Sequence, residues 1–259
     1  MKRKIAALVI LAMCYITLAF TQNKNQKTVQ NVKDNGFAVV ELFTSEGCSS
    51  CPPADALVAK IQREIVNKPI YILAYHVDYW DRLGWKDSFS NSKFSDRQNQ
   101  YANWLNLKSI YTPQIVVNGN KEFIGSEENT LRKTISDALK SGNENSLDIT
   151  LQKQNGEELS LTYNTNQKNT GYNLIVAAVI PNAVNRVLKG ENKGKTLAHV
   201  QIVEQFETIN LNDKANGTFK LTLKKLKNQT DITLIAFLQN QSTGQIIAAT
   251  KLKDKVMHV

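Results

Sequence analysis

An α/β domain followed by an all-β, sandwich-like domain is the fold class the sequence predicts, and three observations predict it. First, an apolar, β-branched run at Phe37–Phe43 leads into a helical spacing of Leu57, Val58, Ile61 and Ile65, and then into a second apolar run at Pro69–Val77. Second, Gln114–Gly125 reads as two short strands around Asn-Gly, a strong hairpin signal, with an amphipathic helix over Glu128–Gly142. Third, the period changes after Gly142. Seven segments, from SLDITLQ to QIIAATKLK, alternate or run apolar between Asn/Gly-rich turns, the pattern of an antiparallel sandwich.

Each segment has a local reason. Residues 1–19 open with Lys2, Arg3 and Lys4, continue through the apolar run Ile5–Phe20, and carry small residues at Thr17 and Ala19. That is the layout of a secretory signal peptide cleaved after Ala19. Two other readings stay open: a retained membrane anchor, short for a span of about 20 residues, and a lipoprotein box in LAMC with Cys14 lipidated. Residues 20–35 form a polar linker. Residues 36–142 are the expected α/β domain, with a polar, aromatic-rich insertion at 78–107 that is helical in its second half. Pro52 and Pro53 stand where a helix begins and a missing N–H costs nothing. The order β, Cys-x-x-Cys, α, β, insertion, Thr-Pro, β-hairpin, α is the thioredoxin arrangement. Residues 146–259 make the sandwich-like domain.

Composition narrows the function classes. The 259 residues are 42% hydrophobic and 8% aromatic, enough for a packed core. The formal charge of +9 falls to +6 once Lys2, Arg3 and Lys4 are cleaved away. The charge is spread along the chain, without the basic stripe and interleaved aromatics of a nucleic-acid binder, so no nucleic acid is expected. Cleavage also removes Cys14 and leaves Cys48 and Cys51 as the remaining cysteines. A single close pair in an exported chain is not a disulfide-dense scaffold.

Cys48 and Cys51 at a predicted helix N-terminus suit a nucleophile and a resolving thiol. Unpaired N–H groups and the helix dipole favour a thiolate. In this reading Cys48 is partly exposed and attacks a disulfide, while shielded Cys51 displaces the mixed disulfide. A structural staple and a Cu(I) site completed by His76 remain as alternatives. Zinc needs about four ligands, and the chain offers one Cys pair with His76, His199 and His258.

Thr112-Pro113 precedes the hairpin. In a thioredoxin-like fold this proline is cis and lies beside the cysteine pair; an ordinary trans proline at a strand start is the alternative. Glu41, alone in an apolar strand, is a candidate buried proton shuttle for Cys51, unless it faces solvent or pairs with a lysine. Glu46 flanks the approach. His76, Asp78, Tyr79, Trp80 and Trp85 follow a strand at the sheet edge where sites form, and are candidates for lining a substrate groove, with a packed cap as the alternative. Asp55 reads as a first-turn acid favoured by the dipole. Leu188–Leu197 fails as a P-loop, because the glycine spacing and following helix are missing.

The motifs VVELFTSEGCSSCPPADALV, YHVDYWDRLGWKD, YTPQIVVNG and KGENKGKTL resemble an exported, thioredoxin-like bacterial family, domain of unknown function 1223. The resemblance covers most of the chain after residue 20. It implies a thioredoxin-like domain plus a β-rich C-terminal part, with Cys48, Cys51 and Pro113 matching the thioredoxin site. It implies no substrate. The ENxGxxL pattern, Glu191 to Leu197, suggests that the β-rich part contributes a loop to the site.

The leading expectation is therefore an exported, periplasmic or extracellular, thiol–disulfide oxidoreductase acting on protein or small disulfides with a redox partner, and needing no cofactor or metal. Membrane attachment follows only under the anchor or lipoprotein readings. A redox-inert binding scaffold and a Cu(I) delivery protein are the competing functions.

Overall fold

The computed structural model describes residues 35–168, 170–223 and 231–253, all within one compact unit. The expected signal peptide, Cys14, nearly all of the linker and His258 lie outside the described residues.

Strand β1 (Ala38–Thr44) is buried along its whole length, as its apolar run requires. Helix α1 (Pro52–Glu64) starts on two prolines, with Asp55 in its first turn and Arg63 in its last, both matched to the helix dipole. Strand β2 (Ile70–His76) runs parallel to β1, with Thr44 opposite His76 at their C-terminal ends. A short 3-10 turn (Asp81–Leu83) and helix α2 (Ser92–Trp104) fill the insertion. The Asn91 side chain caps α2 by accepting from the Lys93 N–H at 3.1 Å. Strands β3 (Gln114–Val117) and β4 (Lys121–Ile124) form the hairpin, and helix α3 (Glu128–Lys140) follows. At the hairpin tip Asn118 and Gly119 both have positive φ. A side chain at Gly119 would also drive its Cβ to 1.9 Å from the Gly244 carbonyl oxygen, so only glycine fits.

The seven β-rich segments are all strands: β5 (Leu147–Asn155), β6 (Glu158–Thr165), β7 (Tyr172–Arg186), β8 (Thr196–Asn210), β9 (Asn216–Thr222), β10 (Thr233–Asn240) and β11 (Ile246–Lys251). They do not form a free-standing sandwich domain, which corrects the sequence expectation. Strands β7, β8, β10 and β11 extend the first sheet, giving eight strands in the order β11-β10-β7-β8-β2-β1-β3-β4. Strand β8 joins parallel to β2 in a register that pairs Ala74 with Ile202. Strands β5, β6 and β9 form a separate three-stranded sheet. The physical reason is exposure: β2 and β7 are apolar on both faces, and joining edges satisfies backbone groups that two separate sheets would leave open.

Three apolar clusters set the layers. On one face, α1 and α3 cover Ala38, Val40, Leu42 and Ile72. The three-stranded sheet covers Leu174, Val176, Ala178 and Leu234 through Leu159, Leu161 and Tyr163. The other face is continuous: Phe94 and Tyr101 of α2 pack with Val39, Phe43, Tyr75, Ile175 and Phe237, spanning both halves of the sheet.

Arg97 of α2 sits in the middle of that face, 2% exposed. Its Nε donates to Glu41 Oε1 at 2.7 Å and its Nη1 to Gln239 Oε1 at 3.1 Å, while Tyr101 OH donates to the second Glu41 oxygen. The guanidinium lies 5.1–5.5 Å from the ring centres of Tyr75, Tyr101, Phe206 and Phe237. Burial opposes its charge, and the Glu41 carboxylate outweighs burial, holding Arg97 more firmly protonated than usual.

Replacing Arg97 with Met strands a buried carboxylate. The expected loss is about 3–5 kcal/mol, read from urea unfolding, with most of it recovered in the Glu41→Leu/Arg97→Met double variant. A loss under about 1 kcal/mol would show that the pair is dispensable.

Candidate functional site

The cysteine pair occupies the turn between β1 and α1. Cys48 and Cys51 form a disulfide, with Cα atoms 5.4 Å apart. Cys51 is the N-cap residue of α1, and its carbonyl accepts from the N–H groups of Ala54 and Asp55. The sequence reading had Cys48 partly exposed. It is fully buried, as is Cys51, and the exposed residues of the motif are Ser49 and Ser50.

Part of what holds the cysteine turn comes from the far half of the chain. The turn joining β7 to β8 folds onto the motif. Asn192 Nδ2 donates to the carbonyls of Glu46 and Cys48, both at 2.9 Å, and the Ser49 N–H donates to Glu191 Oε2 at 3.0 Å. That contact holds the Glu191 carboxyl below its usual range. Lys195 Nζ in turn donates to Asn192 Oδ1 at 2.9 Å. The ENxGxxL segment is therefore part of the site.

On the opposite flank, Trp80 rests against Gly47 and donates from Nε1 to Thr112 Oγ1 at 2.8 Å. The Thr112–Pro113 peptide is cis, and the Thr112 carbonyl oxygen lies 3.5 Å from Ser50 Oγ. Gly125 lets these pieces meet: its Cβ would fall 3.0–3.2 Å from Pro113, Leu42 and Ala54, tighter than side chains normally pack.

Behind the disulfide lies a buried polar cluster. Glu46 accepts from Trp85 Nε1 and from Asn185 Nδ2, each at 2.8 Å. His199 of β8 stands between two acids, with Nε2 3.4 Å from Glu46 Oε1 and Nδ1 3.6 Å from Asp55 Oδ1. These are ion-pair separations rather than well-formed hydrogen bonds. Burial alone works against an imidazolium here, yet Asp55 and Glu46 outweigh it and push His199 up to about 9. Asp55 also accepts from Thr44 Oγ1 at 3.1 Å. The His199 ring meets His76 edge-on, with centres 4.7 Å apart. His76 Nδ1 lies 2.6 Å from Asp87 Oδ2, which also accepts from the Glu46 N–H at 2.8 Å. Burial opposes ionisation of Asp87, but His76 and those N–H groups hold its carboxyl below the usual range.

The fold thus brings Cys48, Cys51, Glu46, Thr112, Pro113, His76, Trp80 and Trp85 together. It takes Glu41 away. Glu41 belongs to the β1 face that carries Val39 and Phe43, and α1 packs on the other; its partner is Arg97, neither a lysine nor solvent. Asp78 is tied to Ser95 of α2 and Tyr79 to Gln98 of α2, so both anchor the insertion. Sequence reasoning placed Asn192 only within the ENxGxxL loop, gave His199 and Asp87 no role in the site, and read Asp55 only as a dipole partner. His199 had a signal: it alternates with Leu197 on the buried side of a strand, where a polar residue needs an explanation. Among the described residues, no group of three or more His, Cys, Asp or Glu side chains is arranged to hold a metal ion. His76, the third ligand of the Cu(I) reading, is engaged with Asp87.

Fold and site define a mixed α/β protein with a buried Cys-x-x-Cys disulfide between a strand and a helix. The chain belongs to the family described as protein of unknown function (DUF1223), whose model matches residues 39–239. A protein from Agrobacterium tumefaciens, solved by X-ray crystallography, shares the fold. It is 27% identical with a TM-score of 0.65, over 87% of this chain and 99% of that one. A domain of the outer membrane lipoprotein Omp28 from Porphyromonas gingivalis aligns with 44% of this chain and 95% of its own, at 7% identity and a TM-score of 0.26. No curated protein matches the chain.

A His199 value above the ordinary 6.5 means that its contribution to stability is fully present below that pH and is lost as pH rises through about 9. His199→Gln should cost on the order of 1–3 kcal/mol at low pH, and the gap to the parent should close in alkali; unfolding curves across pH test this. Asn192→Ala removes both ties to the cysteine turn. Reduction of the disulfide by dithiothreitol, followed by quenched alkylation and mass, should speed up about tenfold. An unchanged rate would show that the turn does not control access.

Proposed function

We propose that this protein is an exported thiol–disulfide oxidoreductase of thioredoxin-like design, working through Cys48 and Cys51. The observation that carries the reading is the joint placement of the Cys48–Cys51 disulfide at the start of α1 and the cis Thr112–Pro113 peptide beside it. A staple closing a loop this short removes little chain entropy, so stability gives a poor reason for the pair. The signal-peptide layout of residues 1–19 supports export to a compartment where such chemistry operates.

In the reducing direction the Cys48 thiolate attacks one sulfur of a substrate disulfide. The substrate S–S bond breaks, one thiolate leaves, and a mixed disulfide forms. Cys51, as thiolate, then attacks Cys48 Sγ, closing the protein disulfide and releasing the second substrate thiolate. Two electrons pass from protein to substrate; the oxidising direction is the reverse. The helix N-terminus favours the thiolates. The proton-shuttle role weighed for Glu41 does not hold, because Glu41 is paired with Arg97; the acid nearest the pair in sequence, Asp55, is engaged with Thr44 and His199. Cys48 is buried and the Glu191–Asn192 turn is hydrogen-bonded to the backbone of the cysteine turn, so in this reading exchange requires that turn to lift.

The reduction potential tests the reading. Equilibration in glutathione buffers should give about −120 to −270 mV, the range of catalytic couples, and a Cys51→Ser variant should accumulate mixed disulfides through Cys48. A potential well below about −300 mV, with no adducts, would identify a structural disulfide and end the redox reading.

A further inference from the structure

The two loops that close over the cysteine turn carry an excess of positive charge, with only the Lys195 side chain hydrogen-bonded among the described residues, to Asn192 Oδ1. Arg82 and Lys86 flank Trp85, whose indole is bonded to Glu46. Lys189, Lys193 and Lys195 surround Asn192, which is bonded to the Cys48 carbonyl. The loops touch, because Gly190 lies against Trp85 and the Leu83 carbonyl. All five cations are exposed, and among the described residues none forms an ion pair. Glu191, accepting from the Ser49 N–H, and Asp81, accepting from Ser90 and the Asp87 N–H, keep their negative charges, while Glu46, Asp55 and Asp87 are buried against the histidines. The exposed rim therefore carries five cations, Arg82, Lys86, Lys189, Lys193 and Lys195, against the two carboxylates Asp81 and Glu191, the latter bonded to the Ser49 N–H. Leu83 and Leu188, 48% and 59% exposed, add apolar surface to the same rim.

From this geometry we infer that the substrate is an acidic polypeptide segment, with carboxylates flanking the reacting disulfide. The inference rests on the redox reading above and names the substrate class of that site. Charges of one sign around a cleft raise the local concentration of oppositely charged partners and speed their association. Exposed leucines offer a peptide side chain a contact that a small polar disulfide cannot use.

The test uses the reduced full-length protein and three disulfide-linked peptide dimers. Their single cysteine is flanked by Glu, Gln or Lys, and each rate is normalised to that with dithiothreitol as the reductant. Each turnover consumes one dimer, yields two peptide thiols and leaves the Cys48–Cys51 disulfide. The Glu dimer should react at least about tenfold faster than the Lys dimer at low ionic strength. The gap should shrink in about 0.5 M salt, where screening acts within a few ångströms. Lys189→Glu/Lys193→Glu should narrow or invert the order. Equal, measurable rates for all three dimers would overturn this inference and leave the redox reading standing. Glutathione disulfide reacting as fast as the Glu dimer would overturn the polypeptide assignment. No reaction with any dimer would remove the redox reading, and this inference with it.

Discussion

The parallel seam between β2 and β8 is the constraint on which the rest depends. It is a short ladder, registered at Ala74 and Ile202, and it joins two halves that are distant in sequence into one sheet. Because β8 continues from the β7 turn, this seam fixes where that turn lands, above the C-terminal ends of β1 and β2. His199 enters the cluster behind the cysteines from β8, and Asn192 reaches the Cys48 carbonyl from the turn. A different register would move both.

A short ladder is a weak seam by itself, and side chains reinforce it. Arg97 joins Glu41 on β1 to Gln239 on β10, with Tyr75 and Phe206 from β2 and β8 against its guanidinium. A buried ion pair is a poor source of net stability, since desolvation offsets most of its attraction. Its value here is directional: it admits one placement of α2 across both halves of the sheet, where an all-apolar helix face would tolerate sliding.

The site has a divided electrostatic character that follows from this assembly. Inside, three carboxylates face two histidines, and each buried acid has a close polar partner, as low dielectric requires. Outside, the rim is cationic. The disulfide lies between them, under a turn held by hydrogen bonds to backbone carbonyls. Those bonds tie the cysteine turn to the β7–β8 hairpin, so the β-rich half helps to build the site.

The sequence by itself determined the local elements and the cysteine motif. Apolar runs marked β1 and β2, helical spacing marked α1, Asn118-Gly119 marked the hairpin, and alternation marked all seven later strands, because these signals are short-range and periodic. The cysteine pair and the Thr-Pro beside it were legible for the same reason: each is a contiguous pattern with its own chemistry; the ENxGxxL loop was legible only through the family resemblance. Tertiary structure alone decided that the later strands extend the first sheet, that Glu41 turns to Arg97, and that His199 and Asp55 meet behind the disulfide. Those outcomes depend on which strand edges pair and which face of a buried strand meets which helix. A strand apolar on both faces carries no record of that choice.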